Sequence, residues 1–344
     1  MTRQRRARAA PAARRKRGRF RQVAPWALAA VALIVAAGLW LYAGPGPAAR
    51  RGGAADVVLP PGRSLPQIAQ TLGAAHVIQS PSLFIVAAKL TGVARRLKAG
   101  EYLFASRAPM AKVLADLRDG QVVRRFVTVP EGVTSAAAVE ILRRVDYLSG
   151  PIDTPPEGAL LPETYEVRRG EARAEVLGRM EAAQTGLLID LWRRRAPGLP
   201  YAAPGQAVIV ASIVEKETAL PDERPRIAAV FINRLKAGMR LASDPTVIYG
   251  LTGGAPLGHG LRVSELASPS PYNTYVRPGL PPTPIGNPGR ASLTAALHPA
   301  ATDDLYFVAD GTGGHVFSDN YQAHLRNVAR WRAIEQARAA GTKS

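Results

Sequence analysis

The sequence predicts an α+β protein with one N-terminal transmembrane helix followed by two globular regions of mixed helix and strand. Two patterns carry this prediction. A basic start without acids leads into an uncharged apolar run, and the remainder combines short strand patterns with amphipathic helix patterns. Of the 344 residues, 47% are hydrophobic and 21% are charged, so the chain can build two or three modest domains with cores of their own.

The net charge of +19 is concentrated near the N-terminus. Residues 1–22 contain ten basic residues and no acid, and Arg50 and Arg51 follow before the first acid, Asp56. Without these twelve, 33 basic and 26 acidic residues remain. Since neither a basic-aromatic alternation nor a known binding module accompanies the charge, we expect no nucleic-acid partner.

Residues 23–43 are uncharged and mostly apolar, with Trp26, Trp40 and Tyr42 toward the ends of the stretch. A helix of this length spans about 30 Å of hydrocarbon, and aromatic side chains favour the two interfaces. The basic excess predicts that residues 1–22 lie in the cytoplasm and the rest of the protein outside it. A cleaved signal peptide is the alternative, although this run is longer than the usual apolar core of one. Residues 44–55 follow as a Gly/Pro/Ala linker.

The first globular region, residues 56–150, contains a weak internal repeat. The segments 57–62 and 127–132 each combine a strand pattern with a Pro-x-Gly turn, and an amphipathic helix pattern follows each of them. Such units suit a polymer-binding module, and a purely structural role fits the same pattern. A Pro/Gly-rich junction at 150–158 then leads into the second region, residues 151–340.

Two acids, Glu215 and Glu217, lie near the end of an apolar helix pattern in the second region. With a turn of about 100° per residue, Glu217 falls in the middle of the apolar stripe, whereas Glu215 points toward water. A carboxyl group in apolar surroundings is costly to ionise, so its pKa rises toward the range of a general acid. Glu217 is therefore the first catalytic candidate, and a structural Glu buried against an Arg is the alternative.

The next helix pattern, residues 227–235, places Arg234 in the middle of its apolar stripe and Asn233 at the flank. A buried guanidinium needs a partner, because an unpaired buried charge is very costly. Asp244 could pair with Arg234 or contact a substrate hydroxyl, and the sequence does not choose between these roles.

A long segment without regular periodicity, residues 253–289, includes Asn273 and Tyr275. A loop of this length inside a compact domain is usually functional. Tyrosine rings stack on sugar C–H groups and amides bind sugar hydroxyls, although ordinary loop packing explains the same residues. The chain has no cysteine, and its five histidines lack tight ligand spacing, so we expect neither a metal site nor a cofactor.

Several motifs, taken in order, resemble the endolytic murein transglycosylases of the MltG (YceG-like) family. The resemblance covers nearly all of residues 57–330, and Thr283 departs from it where the family often has Gly. The motifs that carry it are Ala211-Ser212-Ile213-Val214-Glu215-Lys216-Glu217-Thr218, Val230-Phe231-Ile232-Asn233-Arg234-Leu235, Ser243-Asp244-Pro245-Thr246-Val247-Ile248-Tyr249, Tyr272-Asn273-Thr274-Tyr275, Gly279-Leu280-Pro281-Pro282 and Leu305-Tyr306-Phe307-Val308.

The resemblance implies a membrane-anchored enzyme with a LysM-like module at residues 56–150 and a mixed α+β catalytic domain at 151–340. It implies cleavage of the β-1,4 bond between N-acetylmuramic acid and N-acetylglucosamine inside peptidoglycan strands, which leaves 1,6-anhydro ends. Peptidoglycan synthases or the elongation and division machinery are the implied protein partners. Glu217 matches the family's catalytic Glu, and Arg234 becomes its structural support. The candidates for substrate positioning are Asn233, Asp244, Tyr249, Asn273 and Tyr275.

Three other functions are alternatives to this one. A hydrolytic muramidase would use Glu217 as the acid and Asp244 as the second carboxylate. A non-catalytic wall-binding or divisome scaffold would need neither residue. A DNA-binding protein with a basic tail is the third alternative.

Overall fold

The computed structural model describes residues 18–50 and 52–341, with side chains from 26 to 338 apart from residue 51. Most of the basic tail predicted for residues 1–22 therefore lies outside the described residues. The chain divides into two compact units, one ending at Arg124 and the other beginning at Arg125. The described part contains helices and three two-stranded antiparallel sheets, which confirms the mixed α+β class.

Helix α1 comprises Gly18–Ala43 and begins five residues earlier than the apolar run at Val23 predicted. Within it, Trp26–Ala43 is the one window of the described chain that is long and apolar enough to cross a membrane. None of that window is buried inside the protein. The window Trp26–Ala43 thus lacks the protein cover that a core helix of a soluble domain has.

The first unit surrounds the antiparallel pair of β1 and β2, in which Val57 lies opposite Tyr102. The inward residues alternate along each strand, and the buried rings of Tyr102 and Phe104 stack with centroids 5.6 Å apart. Three helices cover this face and complete one apolar core. The elements of the unit are β1 (Ala54–Leu59), α2 (Leu65–Ala74), α3 (Pro81–Leu90), β2 (Gly100–Ala105) and α4 (Met110–Asp119).

The second unit begins earlier than the sequence predicts. Strand β3 (Arg125–Thr128) pairs with β4 (Thr164–Val167), and the helix between them, α5 (Ser135–Arg144), shares a core with α6 (Arg173–Arg193). The expected boundary at residue 150 therefore differs from the division at Arg124, because residues 125–150 pack with the segment that follows them. The two halves of the sequence repeat consequently lie in different units.

Helix α7 (Pro204–Glu217) is the centre of the second unit, and its residues from Ala207 to Val214 are all buried. The helices that pack directly against it include α8 (Arg224–Lys236) and α11 (Arg290–Leu297). The segment from 253 to 289, expected to be irregular, contains one short helix. The remaining elements are α9 (Asp244–Thr252), α10 (Val263–Leu266), β5 (Tyr306–Ala309), β6 (His315–Ser318) and α12 (Tyr321–Gly341), and β5 pairs with β6 as an antiparallel hairpin.

Candidate active site

Glu217 is the last residue of α7, and the chain leaves the helix in an extended conformation at Thr218. The residue keeps a partly exposed surface, while protein atoms surround its carboxyl group. This desolvation raises the pKa of Glu217 to about 7, because the charged form loses its hydration. A carboxyl group that holds its proton near neutral pH can act as a general acid.

Ser243 lies directly beside this carboxyl group and was not among the residues predicted from the sequence. Its hydroxyl donates a hydrogen bond of 2.5 Å to Oε1 of Glu217, which favours the carboxylate and partly offsets the raised pKa. The sequence signal was present, because Ser243 immediately precedes the Asp244-Pro245 pair.

Two threonines hold Ser243 in place. The Ser243 amide donates to Oγ1 of Thr274 at 3.0 Å, and Oγ1 of Thr246 donates to the Ser243 carbonyl at 2.6 Å. The two threonine hydroxyls are 2.8 Å apart, and both residues are buried. The preceding Ala242 has a φ of +50°, a conformation that a residue with a Cβ rarely adopts. This strained turn and its threonine brace fix the Ser243 hydroxyl against Glu217.

Asp244 and Tyr275 form a second polar pair at the site. The Tyr275 hydroxyl donates to Oδ1 of Asp244 at 2.6 Å, and Asp244 is exposed at the first turn of α9. The negative charge of Asp244 acts on Glu217 and adds to the rise of its pKa. Burial, followed by the bond to Asp244, raises the pKa of Tyr275, so this hydroxyl keeps its proton at neutral pH. Both predicted residues therefore lie within electrostatic reach of the acid.

Arg234 is partly buried, and its guanidinium donates hydrogen bonds to backbone carbonyl groups. Its Nε donates to the Leu305 carbonyl at 2.7 Å and its NH1 donates to the Leu241 carbonyl at 2.6 Å. The guanidinium also lies over the Tyr306 ring, 5.3 Å from the centroid. Its positive charge lowers the pKa of Glu217 slightly against the larger effect of desolvation. Arg234 thus joins α8, β5 and the segment before Ser243.

The side-chain amides of the two predicted asparagines donate hydrogen bonds to main-chain carbonyl groups. The Asn233 amide donates to the carbonyls of Thr302 and Asp304, at 2.7 and 3.1 Å. The fully buried Asn273 donates to the carbonyls of Leu266 and Ser268 and accepts the amide of Tyr275 at 2.9 Å. Because these amide donors are already used, the sugar-facing role expected for both residues has no support in their geometry.

Tyr249 lines a cavity of about 280 Å³ together with Lys216 and Pro245. Its ring packs against that of Tyr272 with centroids 4.9 Å apart. Lys216 and Pro245 are the chain neighbours of Glu217 and Asp244, whose own side chains do not line this cavity. Tyr249 is thus the predicted aromatic residue that faces an open volume large enough for part of a sugar polymer.

A histidine–carboxylate pair on the other side of Glu217 also escaped prediction. Nδ1 of His315 is 2.7 Å from Oε2 of Glu223, and the His315 amide donates to Oε1 of the same carboxylate. The hydroxyl of Thr218 donates to Glu223 as well. The charge of His315 lowers the pKa of Glu217. No local pattern could reveal this pair, because 92 residues separate its members.

Glu215 has a buried side chain, contrary to the prediction that it points toward water. Its side chain is only 5% exposed, and it forms an ion pair with Arg224 at 3.4 Å while accepting the Gly289 amide at 2.8 Å. The prediction that Glu215 reaches water was wrong, because α7 is buried on all sides over most of its length. The buried Glu–Arg pair considered for Glu217 therefore exists, but Glu215 forms it.

Among the described residues, no group of three or more His, Cys, Asp or Glu side chains is arranged to hold a metal ion. The polar groups that act on Glu217 are a hydroxyl, a carboxylate, an imidazole and a guanidinium, and they come from three segments of the second unit: the start of α9, β6 and α8. This arrangement can give, hold and take back one proton at a single carboxyl group.

Comparison with known proteins identifies the family to which the chain belongs. Residues 57–330 match the YceG-like family. An endolytic murein transglycosylase of Bacillus subtilis (strain 168) is 30% identical over 303 residues, which cover 78% of this chain and 82% of that protein. One from Streptococcus pneumoniae serotype 2 is 28% identical over 323 residues, and these are 79% of this chain but 57% of that longer protein. The crystal structure of a YceG-like protein from Listeria monocytogenes aligns with a TM-score of 0.51 and 27% identity, and covers 80% of this chain and 99% of that one.

Proposed function

The chain belongs to the YceG-like family, and from that premise we propose that it is an endolytic lytic transglycosylase of peptidoglycan. It cleaves the β-1,4 bond between N-acetylmuramic acid and N-acetylglucosamine within glycan strands and leaves 1,6-anhydromuramic ends. The observation that carries the proposal is a single carboxyl group, Glu217, whose pKa of about 7 lets it serve first as an acid and then as a base. The curated relatives named endolytic murein transglycosylases support the same reaction.

The reaction needs one proton carrier and no water. Glu217 gives its proton to the glycosidic oxygen while the bond from that oxygen to C1 of the muramic residue breaks, and an oxocarbenium-like centre develops at C1. The N-acetylglucosamine side leaves with that proton as an alcohol. The carboxylate of Glu217 then takes the proton of the muramic 6-hydroxyl as O6 bonds to C1. The 1,6-anhydro ring closes and Glu217 is protonated again.

The neighbours of Glu217 fit these two steps. Ser243 holds Oε1 and stabilises the transient carboxylate, because a hydrogen bond to a charged oxygen favours the charged form. The negative charge of Asp244 opposes early ionisation of Glu217, and it favours positive charge at C1 in the transition state. Asp244, Tyr275 and Tyr249 remain the proposed substrate contacts. Asn233, Asn273 and Arg234 support the site through the backbone.

The test is a product assay with the full chain and two matched variants. Purified peptidoglycan strands are incubated with the wild type, with Glu217→Gln and with Glu175→Gln, an exposed Glu on α6, and the products are analysed by mass spectrometry. We expect 1,6-anhydro ends from the wild type and from Glu175→Gln. Glu217→Gln should lose about 10²- to 10⁴-fold in rate, the usual contribution of a general acid.

The ends of the products decide between the candidate functions. Reducing ends in place of anhydro ends would establish hydrolysis, with Asp244 as the second carboxylate, and would refute the lyase. Full activity of Glu217→Gln would remove Glu217 from the mechanism. Absence of any cleavage by the wild type would favour a non-catalytic wall-binding role.

We also propose that α1 anchors the enzyme in the cytoplasmic membrane, with the N-terminus in the cytoplasm and both units outside it. The apolar window Trp26–Ala43 and the basic residues before it support this topology. Reporter fusions at the C-terminus should be active only outside the cytoplasm. The mature chain should retain its N-terminal residues in the membrane fraction, whereas a cleaved signal peptide would leave a shorter, released protein.

The first unit is proposed to be the LysM-like, glycan-binding module that the family resemblance implies. Its own apolar core supports a separately folded module. Binding of the Glu217→Gln chain to insoluble peptidoglycan, with and without residues 54–124, tests this role. An enzyme held at the membrane next to newly made strands would limit their length, so peptidoglycan synthases of the elongation or division machinery are the proposed partners.

A further inference from the structure

An apolar groove of about 260 Å³ runs between α1 and α3 in the first unit. Its walls are two helical stripes with matching spacing, since the lining positions of each helix recur at intervals of three or four residues and therefore share one face. The groove-lining residues of these stripes are Val35, Gly38, Leu39 and Tyr42 of α1 and Leu83, Val86, Ala87 and Leu90 of α3.

The outer face of helix α3 carries two large apolar side chains beside the exposed Ser82 and Lys89. Phe84, Ala87 and Ala88 are buried in the core of the unit, whereas Val86 and Leu90 on the outer face are 50% and 83% exposed. A helix on the surface of a soluble domain normally presents polar residues to water on its outer side. Val86 and Leu90 are therefore exposed where a soluble domain would normally present polar side chains.

The position of α3 beside α1 indicates that these exposed side chains face lipid. The groove follows α1 from Val35 to Tyr42, a rise of about 10 Å along the helix axis. Tyr42 lies at the end of the candidate membrane span, where aromatic rings occupy the interface. A segment that reaches about 10 Å below this level has the depth of an interfacial amphipathic helix.

Positive charge borders the exposed apolar end of α3. Lys89, Arg95 and Arg96 are all exposed and lie within six residues of Leu90. Basic side chains are attracted to anionic lipid headgroups, while neighbouring apolar side chains can enter the acyl region. Exposed cations and exposed large apolar side chains in one short segment are the combination found in interfacial membrane helices.

We propose that α3 is a second membrane contact, and that its outer face, with Val86 and Leu90, inserts into the leaflet in which α1 ends. This inference rests on the proposed anchoring by α1 and does not depend on the enzymatic reaction. The first unit would then lie directly on the bilayer surface, held by one helix that crosses the membrane and by one that lies in its interface.

Site-directed spin labelling tests the proposal in the full chain. The protein has no cysteine, so Val86→Cys, Leu90→Cys, Leu33→Cys and Leu103→Cys each carry one label after reconstitution into vesicles of phosphatidylethanolamine and phosphatidylglycerol. Leu33 reports on α1, and Leu103, on strand β2, is exposed at 61% and serves as the water-facing control. Collision of each label with oxygen, which concentrates in lipid, is compared with collision with a water-soluble nickel complex.

We expect a ratio of oxygen to nickel accessibility at positions 86 and 90 that is several-fold above that at 103 and close to that at 33. Water-like ratios at 86 and 90 with a lipid-like ratio at 33 would overturn the proposal and leave the anchor intact. A water-like ratio at 33 would refute the anchor and the inference together. Labels at 86 and 90 shielded from both reagents would show that protein, such as a second copy, covers the groove. Cleavage of glycan strands by each labelled variant shows that it is folded.

Discussion

The hydroxyl group of Ser243 donates a hydrogen bond of 2.5 Å to Oε1 of Glu217, and Asp244, the next residue, acts on the same carboxyl group through its negative charge. Adjacent residues thus act on one acid in opposite directions. The Ser243 bond favours the carboxylate, whereas the Asp244 charge favours the protonated form. Burial has the largest effect and raises the pKa to about 7.

Substitution Ser243→Ala should move the pH profile of strand cleavage to higher pH. The first step needs protonated Glu217, so kcat/KM falls as pH rises through a pKa of about 7. Loss of the Ser243 bond destabilises the carboxylate and raises this pKa, so the fall occurs at higher pH. Rates of anhydro-product formation across pH 5–9 measure the shift, with the exposed Ser264→Ala as the control. If the pH at which kcat/KM falls stays the same or decreases in Ser243→Ala, the alkaline limb of the profile contradicts the role given to Ser243.

Substitution Asp244→Asn should move the same limb in the opposite direction. Removal of the negative charge makes ionisation of Glu217 easier, which lowers its pKa and brings the fall in activity to lower pH. The maximal rate should also decrease, because positive charge at the sugar loses a favourable partner. Tyr275→Phe, which keeps the charge and removes only the donor to Asp244, should shift the limb much less than Asp244→Asn does. Equal shifts in the two variants would show that the bond, and not the charge, matters.

Glu217→Gln should stabilise the fold at alkaline pH. The native pKa of about 7 lies above the ordinary value of 4.5, so the native state keeps a proton that the unfolded state has lost between these values. The stability of the wild type therefore falls as pH rises through this window and remains lower above it. Gln has no proton to lose, so the variant's advantage in thermal unfolding should be larger at pH 8 than at pH 4. A constant difference across this range would refute a raised native pKa.

Arg224→Met should destabilise the second unit without a direct effect on the chemistry. The substitution leaves the carboxylate of Glu215 buried without its cation, which typically costs about 3–5 kcal/mol. Unfolding by urea in detergent measures this loss. The double variant Glu215→Gln/Arg224→Met should recover a large part of it, because the buried lone charge is gone and Glu131, which Arg224 also contacts at 3.8 Å, is 44% exposed to water. The idea fails if the double variant is as unstable as the single one.

Helical periodicity placed Glu217 among apolar neighbours, since the angular position of a residue on a helix decides which side it faces. It left open whether Glu217 is an acid or a structural partner of an Arg, and only the family resemblance favoured the acid. The same periodicity gave the wrong environment for Glu215. A helical projection assumes that one side of the helix faces solvent, whereas other helices cover most of α7. The pattern of one segment carries no information on what packs around it.

Asn233 and Asn273 show a second limit of sequence reasoning. An amide can bind a sugar or a main-chain carbonyl, and residue type alone does not distinguish these partners. In the structure the amide donors of both residues bind main-chain carbonyls. The pair of His315 with Glu223 is equally invisible in sequence, because only the fold brings two segments 92 residues apart together.

The position of Glu217 as the final residue of α7 has a further consequence for turnover. Peptide dipoles place partial negative charge at the C-terminal end of a helix, so a carboxylate there is repelled by the main chain. In the proposed reaction, Glu217 would therefore donate its proton against the field of its own helix. In the second step the same field would favour transfer of the sugar hydroxyl proton back to Glu217. Helix α7 would thus help to restore the starting protonation state as the product ring closes.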